Sequence, residues 1–350
     1  MYGLYQIMYF TLIDILNTLL SPFFIAIFLI IFYQYHKLSK AENVLSIKKP
    51  STLLRSMNSA MFGILGGFIS TILFIYLEVS IIPKDFMHIL TIAILLSLIN
   101  PRYMCFAYGG SILSLISLIW GYPRVETKEI MLVVATLHMV ESLLILINGY
   151  KGKLPAYFEH NGDYVGGYNF NRFWPVPFVI FVGEGLIKPV TLMAILSYSD
   201  YTVSYPRRKT IATSTILFFY SSLLMVIIKV FDNPLIAPIF ALAGHEFIIY
   251  INLNHEKRRV ATFTTLLKGV RVLDVSKNGI ARELDIVAGD IIISINDIVI
   301  NDEKDILEIE KIKNSVIKIV YFNNIKGLIS KYYTGHKKTL GVSIVPRVMD

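Results

Sequence analysis

Two histidine–glutamate pairs, His245-Glu246 and His255-Glu256, come nearest in this chain to the start of a hydrolytic metal site. A zinc-protease helix needs HExxH, which sets two imidazoles one turn apart with a glutamate base between them. Ile249 stands where the second histidine would follow His245, and Arg259 where it would follow His255. Neither pair completes the site, and no later Asp-Gly motif supplies a third ligand. A nucleophilic serine on a membrane helix would want G-x-S-G, but Gly109-Gly110-Ser111 is followed by Ile112. His138 and Glu141 share one helical face inside an apolar run, and ionisable residues there are functional candidates. Two readings stay open for them and for His245 and Glu246: pairing across helices or near headgroups, or a bound metal or proton route. Glu184 and Lys188 stand in the favourable i,i+4 order and neutralise each other most simply. Cys105 is the single cysteine, which excludes an internal disulfide and any CxxC site. The residue types and spacings thus call for no catalytic group, no metal ligand and no cofactor.

The elements that carry these residues are apolar. Of 350 residues, 55% are hydrophobic and 17% charged, which is not the profile of a soluble globular chain. The expected architecture is a polytopic α-helical membrane region of about seven or eight apolar segments over 1–256, then a small α/β domain over 257–350. The runs are 1–35, 57–79, 86–99, 103–122, 130–148, 176–198, 210–230 and 234–252. Gly63, Gly66 and Gly67 allow close helix contact. MYGLYQIMYF lacks a basic n-region and a small-residue cleavage site, so no cleaved signal is expected. The net charge of +8 sits beside the apolar runs, which suits membrane orientation and anionic headgroups rather than nucleic acid.

The basic loops at 36–55, 206–209 and 257–259 should share the cytoplasmic side. Five runs separate the first two, so one of these runs must fail to cross. Val176–Tyr198, with Glu184, Lys188, Pro177 and Pro189, suits a re-entrant or protein-buried segment; the short run Phe86–Ile99 is the other candidate. Seven crossings then remain, with an external N-terminus and a cytoplasmic C-terminal domain.

From Gly269 to Asn296 the chain reads GVRVLDVSKNGIARELDIVAGDIIISIN. A strand, a Lys277-Asn278-Gly279 turn, a short helix, a Gly289-Asp290 turn and a β-branched strand follow one another. This order resembles the heart of a bacterial PDZ domain, with Asp285 where the family has glycine. Further motifs are Leu20-Ser21-Pro22-Phe23-Phe24, Phe173-Trp174-Pro175, Ser197-Tyr198-Ser199-Asp200 before Pro206, Gly244-His245-Glu246, Glu256-Lys257-Arg258 and the tail from Gly335 to Val342 ending in Val345-Pro346. Together they resemble MinJ-type proteins of Gram-positive bacteria, polytopic membrane proteins with a C-terminal PDZ domain. The resemblance implies a non-enzymatic scaffold for division-site placement at septa and poles. Its partners would be a DivIVA-type coiled-coil protein, a MinD-type ATPase and divisome membrane proteins. The competing class is a PDZ-regulated membrane enzyme, of the intramembrane-protease kind, or a transporter. No internal repeat between the halves supports a transporter.

A PDZ domain places its carboxylate-binding loop before the strand that begins GVRV here, and ATFTTLLK offers no glycine. Thr339-Leu340-Gly341-Val342 matches that loop at the far end, so the domain is expected to be circularly permuted. Ser343 and Ile344 continue it as a strand that a peptide could join. Lys337 and Lys338 would supply positive charge, and Ile306 and Ile309 the opposite wall. The plainer alternative is a closing strand that completes the sheet and binds nothing.

Overall fold

The computed structural model describes residues 4–43, 51–182, 188–266, 268–276, 278–311, 316–337 and 339–345. The helices of the first part are α1 (Leu4–Thr18), α2 (Pro22–Asn43), α3 (Thr52–Tyr76), α4 (Pro83–Ile99), α5 (Phe106–Trp120) and α6 (Thr127–Asn148). Strands β1 (Lys153–His160), β2 (Asp163–Val182) and β3 (Lys188–Thr202) follow, then α7 (Pro206–Val230) and α8 (Ile236–Arg258). Among the described residues, five helices, α2, α3, α6, α7 and α8, are long and apolar enough to cross a membrane. This corrects the expected seven crossings: α4, with 17 residues, and α5, with 15, are short against the roughly 20 that a bilayer core requires. The first run is divided by a break at Ser21 into α1 and α2.

Helix α6 is buried around most of its circumference, whereas the other long helices keep large apolar side chains such as Ile30, Ile72, Phe219 and Phe247 on the outside. An apolar exterior over a packed interior is what a hydrocarbon solvent selects.

The run Val176–Tyr198 is not helical. It forms the end of β2 and most of β3, antiparallel strands paired from Tyr168↔Thr202 to Val182↔Lys188. Its turn, with Glu184, lies outside the described residues. Prolines at alternate positions explain the choice, because Pro175 and Pro177 would break a helix but suit the N–H side of an edge strand. Trp174, Val176, Phe178 and Ile180 are buried.

Beyond β1, the outer edge of β2 rests on α3, and its outward backbone groups are accounted for from Phe173 to Val179. The Phe173 N–H donates to the Tyr35 hydroxyl at 3.2 Å, and the Val179 N–H to Thr71 Oγ1 at 2.9 Å. Between them, Pro175 and Pro177 have no N–H to satisfy. The carbonyls of Pro175 and Pro177 lie against Gly63 and Gly67, where a Cβ would overlap each oxygen. Two of the three glycines expected to bring helices together therefore admit a strand edge; Gly66 does face a helix, meeting Val140 and Leu144 of α6.

Polar groups seal the base of this region. Glu256 is fully buried and accepts from Thr202 Oγ1 at 2.9 Å and from Arg259 at 3.1 Å. Lys209 Nζ reaches Asp200 at 3.3 Å, Glu256 at 3.5 Å and Asn252 at 2.6 Å. The motifs around Asp200, Pro206 and Glu256 thus join β3, α7 and α8.

The rest of the chain contains β4 (Phe263–Thr264), β5 (Val270–Val275), α9 (Ile280–Glu283), β6 (Ile291–Ile295), β7 (Ile298–Val299), α10 (Glu303–Lys311), β8 (Ile317–Asn323), β9 (Gly327–Tyr333) and β10 (Val342–Ile344). β4 pairs with β2. The others make a small antiparallel sheet in the order β10-β5-β6-β8-β9, with β7 on β6. That plainer description, a small antiparallel β region with short helices, replaces the PDZ domain of the sequence reading. Its turns fall on residues able to adopt a positive φ: Asp285 at 59° and Asn296 at 49°. α10 begins with Asp302 Oδ1 accepting from the Asp305 N–H at 3.0 Å, while Asp305 Oδ2 accepts from Asn301 N–H at 2.7 Å, a reciprocal cap.

This sheet is docked on β1 and β2. The Tyr168 hydroxyl donates to the Leu273 carbonyl, Lys153 Nζ pairs with Asp274 at 2.7 Å, and Leu273 and Val345 share an apolar cluster with Tyr168 and Phe263.

Candidate functional site

The predicted binding tail lies at one border of the second sheet. β10 pairs with β5 through Val342↔Val275, Ser343↔Asp274 and Ile344↔Val272, and ends the sheet on that side. The loop before it turns its carbonyls one way. Thr339 O accepts from Ile280 N–H at 3.1 Å, Leu340 O from Ala281 N–H at 3.0 Å, and Gly341 O from Ser276 N–H at 2.7 Å. In a planar trans peptide each carbonyl points opposite to the next N–H. The N–H groups of Gly341 and Val342 therefore point away from α9, toward the same side. Gly341 makes this possible with φ +70°, and a Cβ there would lie 2.6 Å from Gly279 Cα.

Other predicted members are placed differently. Leu340, Ile344 and Ile306 are buried in one apolar cluster, with Val342 packed against it. They form the core that supports the edge rather than an open pocket. Ser343 is buried as well. Lys337 Nζ pairs with Glu283 at 2.7 Å, so its charge is already matched. Lys338 lies outside the described residues, as do the side chain of Ile309 and residues from Pro346 onward.

Tyr157 of β1 was not anticipated. Its hydroxyl donates to the Ile344 carbonyl at 3.0 Å, on the outer edge of β10. Burial, helped by the nearby Glu303 carboxylate at the start of α10, raises its phenol pKa, so it remains a protonated donor at neutral pH.

A second constellation lies among the helices. Cys105, immediately before α5, His138 of α6 and His245 of α8 bring their ligand atoms within 4.8 Å of one another. Cys105 Sγ is 3.2 Å from His138 Nε2 and 3.5 Å from His245 Nε2. Tyr108 and Tyr220 stack edge-on to His245 and His138, with centroids 5.1 and 5.6 Å apart. Glu246 turns aside, bound by Arg102 at 2.8 Å and by the Tyr108 hydroxyl at 2.6 Å. The second imidazole absent from the His245 motif is thus supplied by another helix. No spacing rule links positions 33 and 140 residues apart; the only sequence signal was three polar residues in apolar runs.

The motifs rejected in the sequence have structural duties here. His255 is exposed while Glu256 belongs to the sealed ion cluster. Gly109 and Gly110 press against Ile89 and Val134, and Ser111 Oγ is buried with no hydrogen-bond partner among the described residues.

No protein-family model matches this chain, and comparison with curated proteins and with solved structures finds no significant similarity.

Proposed function

We propose that the chain is a membrane-anchored adaptor that captures an extended peptide by adding it to the outer edge of β10, as a PDZ domain does. The observation that carries this reading is the loop at Thr339–Gly341. Its carbonyls are spent on Ser276, Ile280 and Ala281, which turns the Gly341 and Val342 N–H groups outward. Such N–H groups at the start of an edge strand suit the terminal carboxylate and first residues of a peptide. The order of strand, short helix and β-branched strand from Val270 to Ile295 supports the same reading.

The division-site role rests on the resemblance to MinJ-type proteins. On that reading the edge faces the cytoplasm and recruits a DivIVA-type protein, a MinD-type ATPase or a divisome component to septa and poles. A C-terminal alkaline phosphatase fusion should stay inactive and a fluorescent fusion should gather at septa; active phosphatase or uniform fluorescence with normal cell lengths would refute this role.

The binding reading has its own test. A phage library displaying random C-termini, selected on the full chain in nanodiscs, should yield a consensus ending in an apolar residue. Val342→Pro removes an outward N–H and should abolish selection. Gly341→Glu is a poorer probe, because a side chain at its positive φ and against Gly279 would strain the fold itself. Selection that survives Val342→Pro, or no enrichment on the wild type, would sink the proposal.

A further inference from the structure

We propose that Cys105, His138 and His245 form a three-ligand zinc site that ties the start of α5 to α6 and α8. One thiolate and two imidazoles are a borderline donor set of the kind zinc favours.

The spacing fits. With Zn–S near 2.3 Å and Zn–N near 2.0–2.1 Å, tetrahedral ligands stand roughly 3.5 Å apart for S···N. The observed separations are 3.2 and 3.5 Å.

The outer contact of His138 fits as well. His138 Nδ1 is 2.7 Å from the Val134 carbonyl. A carbonyl only accepts, so Nδ1 carries the proton and the Nε2 lone pair is directed at the sulfur. A backbone carbonyl fixing the tautomer is the usual support of a metal-bound histidine. The Ala107 N–H lies 3.4 Å from Cys105 Sγ and favours its thiolate. His245 Nδ1 is buried with no hydrogen-bond partner among the described residues.

Without an ion, the thiol proton serves one of the two facing nitrogens, and if His245 meets the sulfur with its own Nε2–H, its buried Nδ1 lone pair is left without a partner among the described residues. A cation satisfies the sulfur and both nitrogens together. Charge is the remaining concern, since a thiolate and Zn²⁺ leave one positive charge in an apolar interior. Glu141, one turn along α6 on the face of His138, carries a carboxylate able to balance it. Among the described residues the metal-capable group has three members, so the fourth position is left for water or a small ligand, as in exchangeable zinc sites.

This site is independent of the peptide edge, and so is its test. The full chain, purified in detergent without chelator, should contain about one zinc per chain by elemental analysis. Chelator-stripped wild-type protein should take up Co²⁺ with a thiolate-to-cobalt absorption band that Zn²⁺ removes. Zinc should also raise its thermal midpoint. Cys105→Ser should lose the band while remaining monodisperse. His138→Ala and His245→Ala should weaken zinc by more than about 100-fold, beyond the effect of an outer-shell change. Folded wild-type protein that binds no stoichiometric metal, or that takes copper in place of zinc, would overturn the assignment. A Co²⁺ band unchanged in Cys105→Ser would do the same.

Discussion

Two strand edges in this molecule, the stretch of β2 beyond β1 and the outer side of β10, are treated in opposite ways. From Phe173 to Val179 the outer edge of β2 is closed at each alternate position by proline or by a hydroxyl from α2 or α3. The outer edge of β10 carries, among the described residues, one side-chain cap, from Tyr157. The difference follows from surroundings. Among apolar helices no water replaces a missing partner, so each unmatched N–H costs several kcal/mol and must be removed or paired. On the smaller sheet, water can serve an unpaired edge until a peptide displaces it.

The largest break in that comparison should come from Gly67→Leu. Its side chain would overlap the Pro177 carbonyl, and backbone cannot yield as a flexible side chain would. A loss above about 4 kcal/mol is expected, seen as disappearance of the monodisperse peak in fluorescence-detected size exclusion. Met61→Leu, at an exposed position of the same helix, is the control and should leave that peak unchanged. Thr71→Val should cost less, about 1–3 kcal/mol, because it orphans the buried Val179 N–H. Thr71→Ser should recover most of the lost thermal midpoint; equal behaviour of the valine and serine variants would show that the hydroxyl does not close the edge. The smallest effect concerns β10. Tyr157→Phe frees the Ile344 carbonyl and should strengthen a selected peptide by about twofold to fivefold, the scale of one modest hydrogen bond. Fluorescence anisotropy would measure it, and weaker binding would mean that Tyr157 belongs to the site rather than competing with it.

Much of the second sheet was legible because its punctuation is local. Asp285 adopts the positive φ its type allows in place of the family's glycine, and the β-branched run Ile291–Ile295 is a strand. The groove was less legible: Ile306 and Ile344 have the right periodicity, but periodicity does not tell a core-facing side chain from one facing a ligand. In the membrane region the length of Val176–Tyr198 suggested one buried segment. The alternation of Pro175 and Pro177 was the sign of an edge strand that length obscured.

By itself, then, the sequence determined where apolar segments begin and end, because burial follows composition, and where the chain turns, because only a few residue types accept a left-handed backbone. Only the tertiary structure decided that β2 would rest on the glycines of α3, and that Cys105, His138 and His245 would meet. Those contacts join residues whose separation along the chain carries no period, so nothing short of the packing of α5, α6 and α8 could bring their ligand atoms within 4.8 Å of one another.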